Sequence, residues 1–180
     1  MELNQLRFFK NGKIKILRIL LWLFFWLIPF RPCFSAVEGK PAPAFEAKLL
    51  SGENFSLAKV SGQVVILHFW ATWCDACRVE MPILDAYYKQ HRVEGLQLIA
   101  ISMDSAKNEL QAREVMKSFS FAAGFAKDAS FKSYGRIWRL PLTFIIDRKA
   151  ILQKDGWTLD HKMTLADLEK QVDPLLKAKP

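Results

Sequence analysis

The four residues Cys74-Asp75-Ala76-Cys77, set between two segments of opposite periodicity, constrain this chain more than any other feature. Before them runs Val64-Val65-Ile66-Leu67-His68-Phe69, apolar, rich in β-branched residues and of the length of a strand buried on both faces. After them, Arg78 to His91 has helical spacing, with Met81, Leu84 and Tyr88 on one face and Val79 and Ile83 beside it. Pro82 falls inside that helix and is expected to kink it. The cysteines therefore stand where a strand turns into a helix. Two cysteines this close would staple almost nothing, so the pair is there for its reactivity.

The rest of the chain supplies a mixed sheet. Phe45 to Leu50 and Asn54 to Leu57 flank Ser51-Gly52-Glu53 and read as a small hairpin, entered through the proline-rich linker 37–44. Leu96 to Met103 reads as a second buried strand. Ala106 to Phe119 reads as a helix with Leu110, Val115, Met116 and Phe119 inward. A short strand is expected over Phe121 to Ala126 and a short helix over Ala129 to Tyr134, stopped by Gly135. Thr143 to Asp147 is a strand, turned by Arg148-Lys149 into Ile151 to Trp157. Thr164 caps a last helix on which Leu165, Leu168, Val172 and Leu175 share a face. A helix crosses between the first two strands of the strand–helix–strand unit, so they run parallel, while the last two strands, joined by a tight turn, run antiparallel. The expectation is an α/β fold with a mixed central sheet flanked by helices and an added N-terminal β-hairpin.

A helix N-terminus offers unpaired N–H groups and a partial positive charge, and both favour a thiolate. The thiolate is the attacking species. Cys74, first and more exposed, is expected to be the nucleophile, and Cys77, one turn on, to resolve the mixed disulfide. The competing use of such a pair is half of a zinc site. That needs two more ligands at comparable spacing, whereas the chain has no second Cys-x-x-Cys and only His68, His91 and His161. Redox chemistry is favoured, with no metal and no cofactor.

Phe69-Trp70-Ala71-Thr72-Trp73-Cys74-x-x-Cys77 resembles the active site of thioredoxins, in particular the TlpA/ResA-like exported branch of thiol–disulfide oxidoreductases. Pro82 matches the helix proline of that family, and Leu140-Pro141-Leu142-Thr143-Phe144-Ile145-Ile146-Asp147 resembles its second signature, a cis-proline leading into a strand. The resemblance spans about residues 38–177. It implies a thioredoxin-like fold, a cis Leu140–Pro141 bond lying against the dithiol, and a Leu140 backbone free to pair with an extended substrate segment. It also implies protein thiol and disulfide clients, among them apocytochrome c, and electrons from a membrane thiol transporter of the DsbD/CcdA type. Trp73 is expected to pack at the rim and help cover the nucleophile.

Two residues depart from the family pattern. Asp75 places a carboxylate beside Cys74, which opposes thiolate formation and points toward a reductase. His68 stands where thioredoxins have a buried acid and this branch often has asparagine. It is either a proton relay to Cys77 or a buried neutral histidine bonded to a backbone carbonyl.

Residues 1–36 read as a signal peptide or an N-terminal membrane anchor, and 37–180 as the thioredoxin-like domain. Arg7, Lys10, Lys13, Lys15 and Arg18 precede an uncharged run from Ile19 to Phe30, which is short for a membrane span. Cleavage after Ser35 or Ala36 is favoured over retention. Cys33 then leaves with the leader, and the domain works in the periplasm or on the outer face of the cytoplasmic membrane. The net charge of +8 is mostly the leader's: it holds six of the 26 basic residues and one of the 18 acids, leaving 20 basic residues against 17 acids. That balance excludes a nucleic-acid surface, and any membrane contact is left to the leader.

Two other functions share the fold. A thiol peroxidase of the peroxiredoxin type wants Pro-x-x-x-Thr-x-x-Cys, but Leu67 stands in the proline's place and Trp73 puts Thr72 one position out. A copper-binding or chaperone module would use a longer loop between its cysteines.

Overall fold

The computed structural model describes residues 36–158 and 162–178. Most of the leader, Cys33 and His161 lie outside these residues. Seven strands form one sheet in the order β2-β1-β5-β4-β3-β6-β7. They are β1 (Glu46–Leu49), β2 (Asn54–Ser56), β3 (Val64–Trp70), β4 (Leu96–Ser102), β5 (Ala122–Ser130), β6 (Leu142–Ile146) and β7 (Leu152–Lys154). The α-helices are α1 (Asp75–His91), α2 (Glu109–Met116) and α3 (Leu165–Lys177). β3 pairs parallel with β4 and antiparallel with β6, β4 pairs parallel with β5, and β1 joins β2 and β5 antiparallel. This is the mixed α/β sheet with an N-terminal hairpin that the sequence leads one to expect.

All seven residues of β3 are buried. Its alternation sorts them into two cores. Val64, Ile66 and Trp70 face one cluster with Cys77, Met81 and Leu84 of α1, Met116 of α2 and Leu168, Val172 and Leu176 of α3. Val65, Leu67 and Phe69 face the other. That second cluster takes its cover from the chain around Ala36 and Phe45, the hairpin, and short 3₁₀ turns carrying Leu57, Tyr134 and Trp157. Ala36 already belongs to the fold, since its N–H donates to the Ser133 carbonyl at 3.1 Å.

Several sequence expectations shift by physical detail. The helix expected over Ala106 to Phe119 is a 3₁₀ turn (Ala106–Asn108) followed by α2, and Leu110 is 83% exposed because α2 buries Ala112 and Met116 instead. Val79 is exposed, and the inward face of α1 takes Glu80 and Tyr87. The short helix expected over Ala129 to Tyr134 is only the turn Lys132–Tyr134, because β5 runs on to Ser130 to pair with β1. β5 can lie this close to β1 because Gly124 has no side chain; a Cβ there would sit 2.8 Å from the Lys48 carbonyl oxygen. The last strand stops at Lys154. On α3 it is Leu176, not Leu175 or Leu165, that completes the buried stripe with Leu168 and Val172. Thr164 does cap α3, in a reciprocal box with Asp167.

Arg148, in the turn between β6 and β7, ties three elements together. Its guanidinium donates to the Gly62 carbonyl at 2.7 Å, the Glu94 carbonyl at 2.7 Å and the Leu176 carbonyl at 2.8 Å. These lie before β3, after α1 and at the end of α3. Arg148→Ala leaves those carbonyls without their shared charged donor and is expected to lower unfolding free energy by about 2–3 kcal/mol. Urea denaturation should show a lower midpoint with an unchanged slope.

Candidate active site

The site begins where β3 ends. Trp70 is the last strand residue, and Thr72 anchors the turn: its N–H and hydroxyl donate to Asp104 at 2.9 and 2.7 Å. Ser102, at the end of β4, donates to the same carboxylate at 2.8 Å. Asp104 thus fixes the turn against the neighbouring strand just before Cys74. The sequence reading did not single it out, because nothing local links positions 72 and 104.

Cys74 is the N-cap of α1. The Cys77 N–H donates to Cys74 Sγ at 3.1 Å, so the sulfur occupies the place a capping oxygen usually takes. In the thiolate form that hydrogen bond and the helix dipole stabilise negative charge. The two sulfurs are bonded, with S–S 2.08 Å and Cα–Cα 5.2 Å. Cys77 is fully buried and Cys74 is 6% exposed. The order of exposure agrees with expectation, though Cys74 shows only an edge.

Leu140–Pro141 is cis, as the resemblance implies. Leu140 packs, half-buried, against the core cluster that contains both cysteines. Trp73 is 65% exposed, so it stands at the rim next to Cys74 rather than in the core. The Asp75 carboxylate is 87% exposed and paired with Arg78 at 2.5 Å. Its charge is turned to solvent and partly balanced, which weakens its effect on Cys74 relative to the sequence expectation.

Beneath the cysteines lies a buried polar chain. His68 Nδ1 is 3.0 Å from Thr143 Oγ1, and Thr143 Oγ1 donates to Glu80 Oε1 at 3.1 Å. Glu80 Oε2 accepts from the Met163 N–H at 3.2 Å. His68 and Thr143 are direct partners in the β3–β6 register, and Glu80 comes from α1, one turn after Cys77. His68 is neutral and buried, but its partner is a hydroxyl, not the backbone carbonyl considered from sequence. Its Nε2 is buried with no partner among the described residues.

Glu80 is the residue the sequence reading missed. The available signal was an acid on the apolar stripe, between Cys77 and Met81. Burial raises its pKa to about 7, outweighing the Met163 N–H and the Thr143 hydroxyl that favour the charged form. Burial lowers the His68 pKa to about 3. Near neutral pH, then, His68 is uncharged and Glu80 exchanges its proton.

Residues 38–155 match the AhpC/TSA family. The chain belongs to that family. It is 36% identical to the thioredoxin-like protein YneN of Bacillus subtilis (strain 168), over 76% of this chain and 79% of that protein. It is 30% identical to the thiol–disulfide oxidoreductase ResA of Bacillus thuringiensis subsp. konkukian, with the same coverage of 76% and 79%. A putative thiol:disulfide interchange protein DsbE from Chlorobium tepidum matches in structure with a TM-score of 0.62 and 25% identity, over 79% of this chain and 99% of that one. With those relatives and a cysteine pair at disulfide distance, this member of the AhpC/TSA family is a thiol–disulfide oxidoreductase of thioredoxin-like fold. Thr72, the nearest candidate for a peroxidatic threonine, spends its hydroxyl on Asp104.

The two buried titrating groups pull stability in opposite directions. Glu80, raised in the fold, holds a proton that the unfolded chain has lost between pH 4.5 and about 7, so its contribution falls as pH rises through that window. His68, lowered in the fold, stays neutral while the unfolded chain takes a proton below pH 6.5, so its contribution is lost as pH falls toward about 3. Between pH 4.5 and 6.5 the slopes offset each other. Urea denaturation at stepped pH should therefore show stability rising with pH across that window in Glu80→Gln and falling in His68→Asn, against a flatter wild type.

Proposed function

We propose that the protein is an exported disulfide reductase in which Cys74 attacks and Cys77 resolves. The observation that carries this is the Cys74 sulfur at the N-cap of α1, accepting the Cys77 N–H. In the reduced enzyme, the Cys74 thiolate attacks a client disulfide and expels one client thiolate. The Cys77 thiol loses its proton and attacks the Cys74 sulfur, which releases the second client thiolate and leaves Cys74–Cys77 oxidised. Two electrons pass to the client, which takes up two protons as its thiols form. A membrane thiol donor of the DsbD/CcdA type then returns two electrons to the pair.

Burial supports the reductase direction. Cys74, only 6% exposed, gains less from the thiolate form than an open sulfur with the same cap would, and a less stabilised reduced state makes a weaker oxidant. Export rests on the basic, apolar leader in residues 1–36, as signal peptide or anchor, with the domain at 37–180. The location is the periplasm or the outer face of the cytoplasmic membrane, and the clients include apocytochrome c. Leu140, Pro141 and Trp73 border the client's path.

Glu80 is the proton acceptor for Cys77 in this scheme, and His68 acts on it through Thr143. A single hydroxyl proton sets the polarity of that chain. When Glu80 is charged, Thr143 donates to it and His68 must donate from Nδ1; when Glu80 is neutral, it can donate to Thr143 and His68 can accept at Nδ1. His68 therefore positions and polarises the acid without becoming an imidazolium. Asp75, paired with Arg78, tunes Cys74 weakly from the solvent side.

In cells, Cys77→Ala should accumulate clients as mixed disulfides on Cys74, seen as high-mass bands that a reductant abolishes. Cytochrome maturation proteins among them support the proposed role, and an empty trap under oxidising conditions refutes the scheme. Glu80→Gln should slow client reduction about 10–100-fold and erase the inflection of the pH–rate profile near 7, while the Cys77→Ala trap still forms.

A further inference from the structure

The loop that delivers the cis-proline also carries a supported, exposed aromatic surface. Trp138 is 74% exposed and stacks on Trp157 with ring centroids 5.7 Å apart and planes 25° from parallel. Trp157 is held from several sides. Its Nε1 donates to the Tyr134 carbonyl at 2.8 Å, its backbone N–H donates to Asp155 at 3.0 Å, and the Arg139 guanidinium lies 5.4 Å from its ring centroid. Arg139 also donates to the Gly156 carbonyl at 3.1 Å. Gly135 makes room for the indole, since a Cβ there would meet Trp157 Nε1 at 3.0 Å. Trp138 is thus a large apolar side chain left in water on a fixed support, and such a group binds with little further loss of side-chain freedom.

We propose that Trp138, backed by Trp157, recognises a client segment that carries an apolar or aromatic side chain near its cysteine, with acidic residues beside it. The inference deepens the reductase reading and rests on it. The occupant follows from continuity and charge. Trp138 is two residues before Leu140, and the ladder of β6 with β3 begins only at Leu142, leaving Leu140 outside it. A client strand lying along Leu140 would bring its disulfide to the cysteines. A residue about two positions along, roughly 7 Å away at the rise of a strand, would reach the level of Trp138. Lys132, Arg136 and Arg139 put three positive charges on this stretch, while the acids behind Trp157 are engaged, Asp155 by the Trp157 N–H and Glu38 by the Asp155 N–H and Lys154. A segment with glutamate or aspartate flanks is therefore preferred over a basic one.

The test uses the full chain in detergent, re-reduced after each turnover by dithiothreitol whose direct reaction is subtracted, and two substrates. One is a synthetic disulfide peptide with leucine two residues from its cysteine and glutamate flanks; the other is hydroxyethyl disulfide, too small to span the loop. Trp138→Ala should raise KM for the peptide about tenfold with kcat held, and leave hydroxyethyl disulfide reduction unchanged. Trp138→Phe should recover most of the loss, and lysine flanks on the peptide should raise KM for the wild type. Equal losses on both substrates, or none on the peptide, overturn the proposal. So does a wild-type dimer that Trp138→Ala dissolves, which would give the surface to a second copy of the chain. If the wild type reduces neither substrate, it is the reductase reading itself that fails.

Discussion

The site depends on one strand being held from both sides. β3 is paired with β4 along one edge and with β6 along the other, and its residues are buried on both faces. A strand so fixed cannot slide, because a slip of one residue would exchange its two core faces. Its end therefore fixes where the turn to Cys74 starts, and β6, its partner, begins just after the cis-proline. The same pairing sets His68 opposite Thr143. Dithiol, proline loop and buried polar chain are positioned by a single register.

The polar chain is an exception to an otherwise apolar cluster, and its chemistry follows from how it is made neutral. A buried charge here carries a desolvation cost that disfavours it. His68 meets that constraint by staying unprotonated, and Glu80 by holding a proton until about pH 7. The hydroxyl between them can point either way, so it can pair with Glu80 in either protonation state.

Much of this was legible in the sequence because it was local. β3 announces itself by the run Val64-Val65-Ile66-Leu67, broken only by His68 before Phe69-Trp70, ahead of a Cys-x-x-Cys, and the last helix by Thr164 at its N-cap. The cis-proline was legible only through resemblance, since an isolated Leu-Pro reads as a turn. What escaped was set by tertiary partners. Leu110 lies on a helical stripe, yet the first turn of its segment is 3₁₀, which rotates the stripe away from the core. Glu80 stands on the apolar stripe of α1, but its partner Thr143 arrives only with β6. Asp104 has no local signal at all, because its partner Thr72 arrives across the parallel pair of β3 and β4.

Burial of the dithiol also bears on recognition. A sulfur with only an edge in solvent offers a client little contact area of its own. The binding energy for a client must therefore come from surface beside the cysteines. Two exposed aromatics among the described residues flank the site in sequence: Trp73 stands immediately before the nucleophile and Trp138 two residues before Leu140. Trp73 is tied by chain to the turn that Asp104 anchors, so its position is coupled to that of the sulfur. Trp138 rests on Trp157 and Arg139, outside that network. Client preference can therefore vary at position 138 without disturbing the electrostatics at Cys74, whereas a change at position 73 acts on both at once.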